Sequence, residues 1–211
     1  MTAMAKRHKK INFISFEGLD GSGKTTQIDL LAKYCEREKI SFLIVREPGS
    51  SLIGEKIRMI LKDNENNFMD AKAEVFLFMA ARAQLMREKI IPALKEKILI
   101  ICDRFIDSSV AYQGIARNLG ENFVKQMNDF ATDNIKPDLT FFLDVTPEII
   151  FKRKNRNLDR FETEGLDFYQ KVYSGYKKIF CEEENKNRAV FIDGHLKCDE
   201  IHEMILNKLF A

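Results

Sequence analysis

The glycine-rich segment at residues 17–26 (EGLDGSGKTT) has the residue types and the spacing to bind a polyphosphate. It matches G-x-x-x-x-G-K-[ST], in which closely spaced glycines let successive backbone N–H groups point inward around an anion. Lys24 can then reach the β- and γ-phosphates of a nucleotide, and the Thr25 hydroxyl can ligate Mg²⁺. The loop residues predicted to bind the nucleotide phosphates are Gly18, Leu19, Asp20, Gly21, Ser22, Gly23, Lys24, Thr25 and Thr26.

Further charged side chains follow other apolar runs of the sequence. Asp103 comes after the run 98–102 (ILIIC), which is the placement of a carboxylate that helps to hold Mg²⁺ through water near Thr25. Arg46 and Arg104 also follow apolar runs, and a guanidinium can hold a phosphate with two N–H groups. Because the carboxyl ends of parallel strands meet at one edge of a sheet, the two arginines predict a second phosphate site.

Two groups of residues allow either a structural or a functional interpretation. Phe78 and Arg82 lie four residues apart on one helix face, where a ring and a guanidinium could bind a nucleobase. A core phenylalanine beside a surface arginine is the commoner case, and spacing alone favours it. The basic run 152–160 (KRKNRNLDR) is either a solvated helix face or a flap that closes over the transferring phosphoryl group.

The elements that must position these residues form an α/β pattern. Five short apolar runs predict strands at 11–16, 41–46, 98–102, 138–145 and 189–193. Helices are predicted from the loop to residue 39, at 52–61, at 70–89 with Pro92 beyond it as a possible kink, at 121–132, from Pro147, at 168–183 and at 200–209. Because the runs are continuously apolar rather than alternating, they predict a five-stranded parallel sheet with helices on both faces, the α/β fold of the P-loop NTPases.

Composition limits the classes of protein that fit. The 211 residues suit one domain, and 34 Lys+Arg against 32 Asp+Glu give a net charge of +2, which provides no argument for a nucleic-acid or membrane partner. Four cysteines without C-x-x-C spacing predict reduced thiols in a cytosolic protein. The apolar runs fall far short of the ~20 residues that span a bilayer.

Taken in order, the motifs of the chain resemble those of the thymidylate kinases from residue 11 onward. The segments that carry the resemblance are 16–26 (FEGLDGSGKTT), 46–49 (REPG), 78–82 (FMAAR), 103–105 (DRF) with Ser108, 111–114 (AYQG), 137–140 (PDLT) and 143–145 (LDV). The resemblance implies transfer of the γ-phosphoryl group of ATP to dTMP, with Mg²⁺, by a cytoplasmic homodimer. It also implies one kinase domain over 11–211, with a short basic lid at about 152–162, after a flexible basic tail at 1–10.

The resemblance further implies roles for the acceptor residues. Arg46 and Arg104 would grip the dTMP phosphate, Phe78 would stack on thymine, and Arg82 would reach a thymine carbonyl. The remaining residues expected around the acceptor are Asp20 at the 3′-hydroxyl, Tyr112 against the sugar 2′ position, Ser108, Ser109 and Gln113. Phe105 stands where tyrosine or histidine is frequent in the family.

The residues expected to act on the transferring phosphoryl group are Lys24, Arg104 and a lid arginine. Gly21 stands where some members of the family carry a basic residue, and members without it resemble bacterial enzymes whose lid supplies the catalytic arginine. Arg153 is the first candidate for this role and Arg156 the second.

Rival functions differ from this one in features that can be checked. Another P-loop nucleotide or deoxynucleoside kinase would share the chemistry but take a different acceptor. A guanine-nucleotide switch needs N-K-x-D, and the nearest string, 185–188 (NKNR), lacks the acid. A transport or chaperone-like ATPase would need a membrane segment or a partner module, and neither is visible.

Overall fold

The centre of the molecule is a five-stranded sheet whose strands all run parallel. The computed structural model describes residues 11–153 and 159–210, and the basic tail predicted at 1–10 lies outside them. The strands are β1 Phe13–Glu17, β2 Phe42–Arg46, β3 Leu99–Asp103, β4 Leu139–Asp144 and β5 Ala189–Asp193. They lie in the order β2-β3-β1-β4-β5. The predicted parallel α/β sheet is therefore confirmed.

Helices cover both faces of this sheet. They are α1 Lys24–Arg37, α2 Leu52–Lys62, α3 Ala71–Leu85, α4 Ile91–Lys95, α5 Ile106–Ser109, α6 Glu121–Thr132, α7 Pro147–Arg153, α8 Leu166–Cys181 and α9 Cys198–Phe210, with short 3₁₀ turns at Asn64–Asn66 and Glu183–Asn185. Phe16, Leu31 and Ile205 belong to one core cluster, which joins the sheet to α1 and α9. Phe13, Leu85 and Ile90 belong to another, which includes α3 and the turn after it.

Two stretches differ from the predicted helices. The helix predicted at 70–89 continues through a π-helical turn, Met86–Ile90, into α4, which carries Pro92 in its first turn. A π turn accommodates a missing i→i−4 bond, which is what proline imposes. The sequence patterns predict no helix over 106–116, where the structure has α5 and a second π-helical segment, Val110–Ala116. Close packing against α8 explains the helical segment at 106–116. The two backbones approach so closely that a Cβ on Gly175 of α8 would lie 3.4 Å from Cα of Ala111.

Side chains at the starts of the central strands fix their register. The Asp138 carboxylate accepts hydrogen bonds from the backbone N–H groups of Asn12 and Phe13, at 3.0 and 3.1 Å. The hydroxyls of Ser15 and Thr140 are 2.9 Å apart between β1 and β4. Phe16 pairs with Asp103, and Arg46 pairs with Asp103 from the other side. The ends of β1, β2 and β3 are therefore level, and the charged residues that follow them share one edge of the sheet.

The sequence also predicts reduced cysteines and no apolar run long enough to span a bilayer. Cys35, Cys102, Cys181 and Cys198 are all free cysteines. Within residues 11–153 and 159–210, no helix has the length and hydropathy needed to cross a membrane.

Candidate active site

The phosphate loop connects the end of β1 to the start of α1. Gly18, Gly21 and Gly23 have φ angles of 138°, 84° and 102°, in the region that favours glycine. A Cβ on Gly18 would lie 2.8 Å from the carbonyl oxygen of Leu143 and 2.9 Å from the hydroxyl of Ser22. These contacts explain why the loop needs glycine, and the positive end of α1 adds to its attraction for an anion.

Lys24 lies buried inside this loop. Its Nζ donates to the carbonyl oxygens of Gly18, at 3.1 Å, and Leu19, at 2.9 Å. Burial, followed by the charge of Arg104, lowers the pKa of Lys24 to about 8 although three carboxylates oppose the shift. A buried ammonium held by carbonyl groups is a strong attractor for phosphate, because it has given up most of its hydration.

Thr25 and Asp103 fit a magnesium ion held partly through water. Both line the same cavity, and Oδ1 of Asp103 is buried and has no hydrogen-bond partner in the described part of the chain. Within that part, no group of three or more His, Cys, Asp or Glu residues could hold a metal ion by itself. Mg²⁺ at phosphate sites needs few protein ligands, since waters and phosphate oxygens supply the rest.

Arg104 is held in place by several polar groups. Its Nη2 donates to Asp20 at 2.9 Å, and its Nη1 donates to the hydroxyls of Ser108, at 3.2 Å, and Tyr176, at 3.0 Å. Its guanidinium carbon lies 5.4 Å from the ring centre of Tyr112. Burial alone would raise the pKa of Asp20, but the charges of Arg104 and Lys24 outweigh it and hold that pKa well below its usual range. The ion pair therefore stays charged across the physiological pH range.

Arg46 reaches the cavity from β2 and belongs to a wider cationic wall. It is half-exposed, and its Nη2 lies 2.9 Å from Glu55. Arg58 and Lys62 of α2 also line the cavity, which the sequence analysis missed. They lie four residues apart on a helix, so their shared face was a signal available in the sequence. Arg58 donates to the carbonyl oxygen of Pro48 at 2.8 Å, and Lys62 lies 2.6 Å from Asp159.

Phe78 and Arg82 lie on the inner face of α3 and both line the cavity. Arg82 is 1% exposed, so the surface arginine that spacing alone favoured is wrong. Each of its N–H groups has an acceptor: Nε and Nη2 bind Glu47, Nη1 binds Ser109 and Asn128, and Nη2 also binds the Phe105 carbonyl. A base carbonyl that binds Arg82 must share or replace one of these acceptors, so its contact with thymine stays a prediction.

Aromatic rings form the walls beside Phe78. The ring centre of Phe161 lies 5.8 Å from that of Phe78 and 6.4 Å from that of Tyr112, both edge-on. Phe161 lines the cavity although no sequence motif identifies it. Gln113 lines it too, and its amide donates to the buried Glu74 at 2.8 Å. Phe78, Tyr112 and Phe161 together form an aromatic slot in the cavity. An apolar slot with a few fixed polar groups is the usual form of a small-molecule pocket.

The basic run 152–160 contains the three arginines Arg153, Arg156 and Arg160. Arg153 is the last residue of α7, whereas Arg156 lies in 154–158, outside the described residues. Arg160 is buried, donates to the Leu61 carbonyl at 2.8 Å and binds Glu74 at 2.7 Å. Arg160 therefore belongs neither to a solvated face nor to a free flap, because it anchors the return of this segment to α2 and α3.

One cavity of about 330 Å³ brings most of the predicted residues together. Those that line it are Asp20, Gly21, Gly23, Lys24, Thr25, Thr26, Arg46, Phe78, Arg82, Asp103, Arg104, Ser108, Ser109, Tyr112 and Gln113. Gly18, Leu19 and Ser22 shape the loop behind this surface, and Leu19 belongs to the core. Arg104 contacts both parts of this lining, because it binds Asp20 of the phosphate loop at 2.9 Å and lies 5.4 Å from the ring centre of Tyr112.

Comparison with known proteins identifies the family of the chain. A family model described as thymidylate kinase matches residues 16–205. The thymidylate kinase of Thermoanaerobacter sp. (strain X514) is 47% identical over 199 residues, which cover 94% of this chain and 97% of that protein. The thymidylate kinase of Kosmotoga olearia is 45% identical over 198 residues, covering 93% and 94%, and that of Lactobacillus acidophilus is 46% identical over 202 residues, covering 93% of each. The chain belongs to the thymidylate kinase family.

Proposed function

We propose that the chain transfers the γ-phosphoryl group of ATP to the phosphate of dTMP, giving ADP and dTDP. The observation that carries the proposal is a single cavity lined by the phosphate loop, with Lys24, and by an aromatic slot, with Phe78 and the buried Arg82. Arg104 contacts both, through Asp20 of the loop and Tyr112 beside Phe78, and would bind the acceptor phosphate. Family membership identifies the acceptor nucleotide as thymidylate.

The chemistry required of these residues is neutralisation and alignment of charge. A phosphomonoester has its second pKa near ~6, so the attacking oxygen of dTMP is already ionised at pH 7 and needs no general base. The obstacle is repulsion between two anions. Lys24, Arg46 and Arg104 line the cavity and would offset that repulsion while holding donor and acceptor in line. Arg58 and Lys62 add positive charge to the same wall.

A magnesium ion would be held by the Thr25 hydroxyl and, through water, by Asp103. When bound, it would offset the negative charge of the donor phosphates. The unpartnered Oδ1 of Asp103 in the described part of the chain supports this role.

The acceptor nucleoside would occupy the aromatic slot. Phe78 would stack on the thymine ring, with Arg82, Ser109 and Gln113 as the polar groups around the base. Tyr112 would lie against the sugar 2′ position, and Asp20 would accept a hydrogen bond from the 3′-hydroxyl. These assignments are supported by the fact that all of these side chains line one cavity.

An acceptor panel tests the proposal. ADP release is measured with ATP, Mg²⁺ and each of dTMP, dUMP, dCMP, dGMP and thymidine, and the product is identified by chromatography. We expect strong turnover with dTMP, weaker turnover with dUMP and little with the others. Preference for a purine or cytosine monophosphate would overturn the acceptor, and absence of stimulation by every monophosphate would overturn the kinase assignment.

Arg153 is proposed as the lid arginine that stabilises the transferring phosphoryl group. Arg153→Ala is expected to lower kcat by about 10²-fold while raising the KM for dTMP much less, because the contact forms mainly in the transition state. Lys152→Ala, an exposed neighbour on α7, serves as the matched control and should retain kcat. A large loss of kcat in Arg156→Ala together with normal kcat in Arg153→Ala would assign the role to Arg156 instead.

The chain is also proposed to form a homodimer through α3 and α6. These helices pack against each other and expose Phe76, Phe123 and Phe130, of which Phe130 is 90% exposed. Exposed large apolar side chains on two neighbouring helices suit an interaction surface. A cytoplasmic location, where thiols stay reduced, fits the four free cysteines.

Light scattering after size-exclusion chromatography measures this assembly. Phe130→Asp is expected to shift the protein from dimer to monomer, because a carboxylate cannot be buried without a partner. Leu196→Asp, at a partly exposed position outside both helices, should leave the dimer intact. A monomeric unaltered protein, or a Phe130→Asp variant that stays dimeric, would contradict the proposal.

A further inference from the structure

Glu17, the last residue of β1, carries a buried carboxylate with a full set of hydrogen-bond donors. Its Oε1 accepts from the backbone N–H of Phe105 at 2.7 Å. Its Oε2 accepts from the hydroxyls of Ser108, at 2.6 Å, and Tyr176, at 2.9 Å. Glu17 does not line the cavity, so no contact with either nucleotide explains why a charge is buried here.

The first of these bonds fixes the backbone at Arg104. Arg104 has a φ of 67°, a conformation that residues other than glycine adopt only when their surroundings hold them in it. Its own N–H donates to the Phe16 carbonyl at 3.0 Å, and the next N–H, that of Phe105, donates to Glu17. Both peptide N–H groups flanking the strained residue are therefore tied to the end of β1.

The other bonds orient the guanidinium. Nη1 of Arg104 donates to the hydroxyls of Ser108 and Tyr176, and these two oxygens are 2.7 Å apart. A guanidinium can only donate hydrogen bonds, so the hydroxyls of Ser108 and Tyr176 accept from Arg104. Their own protons are then available for another acceptor. The Glu17 carboxylate, which has no donor when ionised, receives those protons and keeps the hydroxyl oxygens turned toward Arg104.

We propose that Glu17 is a positioning residue for the acceptor site, which holds Arg104 toward the acceptor phosphate through Phe105, Ser108 and Tyr176. The inference rests on the proposed function, since it takes Arg104 as the group that grips the phosphate of dTMP. Glu17 does not line the cavity, so it would act through these three residues and not by direct contact with a substrate.

The charge of Glu17 depends on pH within the working range of an enzyme. Burial first, and then the nearby charge of Asp107, raise its pKa to about 7 against the opposing effect of Arg104. The titratable and charged groups around it are Arg104 after β3, Asp107 on α5, Tyr112 on the π-helical segment, Tyr176 on α8, Lys24 on α1, Arg188 before β5 and Cys102 on β3. The carboxylate is present above pH 7 and is lost as the pH falls through that value.

Three variants test the proposal at pH 8. Glu17→Gln adds donors where the hydroxyls need an acceptor, and it should raise the KM for dTMP about tenfold, the factor that a hydrogen bond to a charged group carries, with the KM for ATP unchanged. Tyr176→Phe should raise the KM for dTMP about threefold, since it removes one of the two hydroxyls. Tyr173 lies one turn before Tyr176 on α8, and its hydroxyl binds Asp144. Tyr173→Phe should therefore change neither the KM for dTMP nor the KM for ATP.

Two further measurements separate positioning from a general structural role. In an Arg104→Ala background, Glu17→Gln should raise the KM for dTMP no further, because the group that it positions is absent. The ratio of the dTMP KM of Glu17→Gln to that of the unaltered protein should shrink from pH 8 to pH 6, where Glu17 itself becomes neutral. The phosphate of dTMP titrates identically in both proteins and cancels from the ratio.

The outcomes distinguish this inference from the proposed function. Failure of the unaltered protein to phosphorylate dTMP would overturn the proposed function. With dTMP phosphorylated, an unchanged dTMP KM in both Glu17→Gln and Tyr176→Phe, or an equal effect of Glu17→Gln in the Arg104→Ala background, would overturn the positioning role. If Glu17→Gln does not fold, as judged by circular dichroism, Tyr176→Phe against Tyr173→Phe decides the question.

Discussion

Lys24→Met is expected to lower kcat for dTMP phosphorylation by about 10³-fold, because it removes a preorganised cation from a phosphoryl-transfer site. Methionine keeps much of the length and apolar surface of the stem. The Nζ atom that it removes is buried in the loop and bound there to the Gly18 and Leu19 carbonyls. A bound β- or γ-phosphate would replace those carbonyls, so the charge is placed in advance for the transition state.

A matched control separates this loss from damage to α1. Lys33→Met removes an exposed ammonium from the same helix and should leave kcat unchanged. A coupled assay of ADP release under saturating ATP and dTMP measures both variants, with circular dichroism as the check on folding. A Lys24→Met variant that keeps more than about a tenth of kcat would show that other cations of the cavity suffice.

The phosphate loop and the sheet could be predicted from the sequence because local patterns encode both. The loop motif is contiguous, and Gly18, Gly21 and Gly23 stand at positive φ as their spacing required. Apolar runs placed all five strands to within two residues of the observed ends. Strands that are covered on both faces are mostly apolar, so their ends can be located from the sequence alone.

The contacts between distant residues could not be predicted in this way. Arg82 binds Glu47, 35 residues earlier, and Arg160 binds Glu74, 86 residues earlier. No periodicity relates such positions, because the fold alone brings them together. Spacing therefore favoured a surface location for Arg82, and only the resemblance to thymidylate kinases indicated a functional role.

The segment at 106–116 illustrates a different limit. Local propensity there is poor for a helix, since Ser108, Ser109 and Gly114 interrupt the apolar residues. The helical and π-helical turns are stabilised from outside, by packing against α8 and α6. Arg58 and Lys62 show another limit. Their spacing places them on one face of α2, but the sequence does not indicate that this face lines the cavity.

Glu47→Ala is expected to lower the free energy of unfolding by about 3–5 kcal/mol, which is the cost of leaving one member of a buried ion pair alone. The side chains of Arg82 and Glu47 are only 1% and 5% exposed. Arginine cannot lose its proton at accessible pH, so the cation would be stranded in the core with neutral partners. Urea unfolding at pH 7 measures the change. Glu38→Ala, which breaks an exposed pair with Arg37, should cost less than about 1 kcal/mol.

A double variant shows whether the stranded charge is the cause. Arg82→Met alone removes the charge but leaves Glu47 buried without its cation, and Glu47→Ala alone does the reverse. Combining them removes both charges, so the loss in the double variant should fall short of the summed single losses by about 1–3 kcal/mol. Strict additivity would mean that the two side chains stabilise the fold independently of each other. Because charge burial penalises whichever partner is left, the pair is expected to behave as one unit in the lining of the cavity.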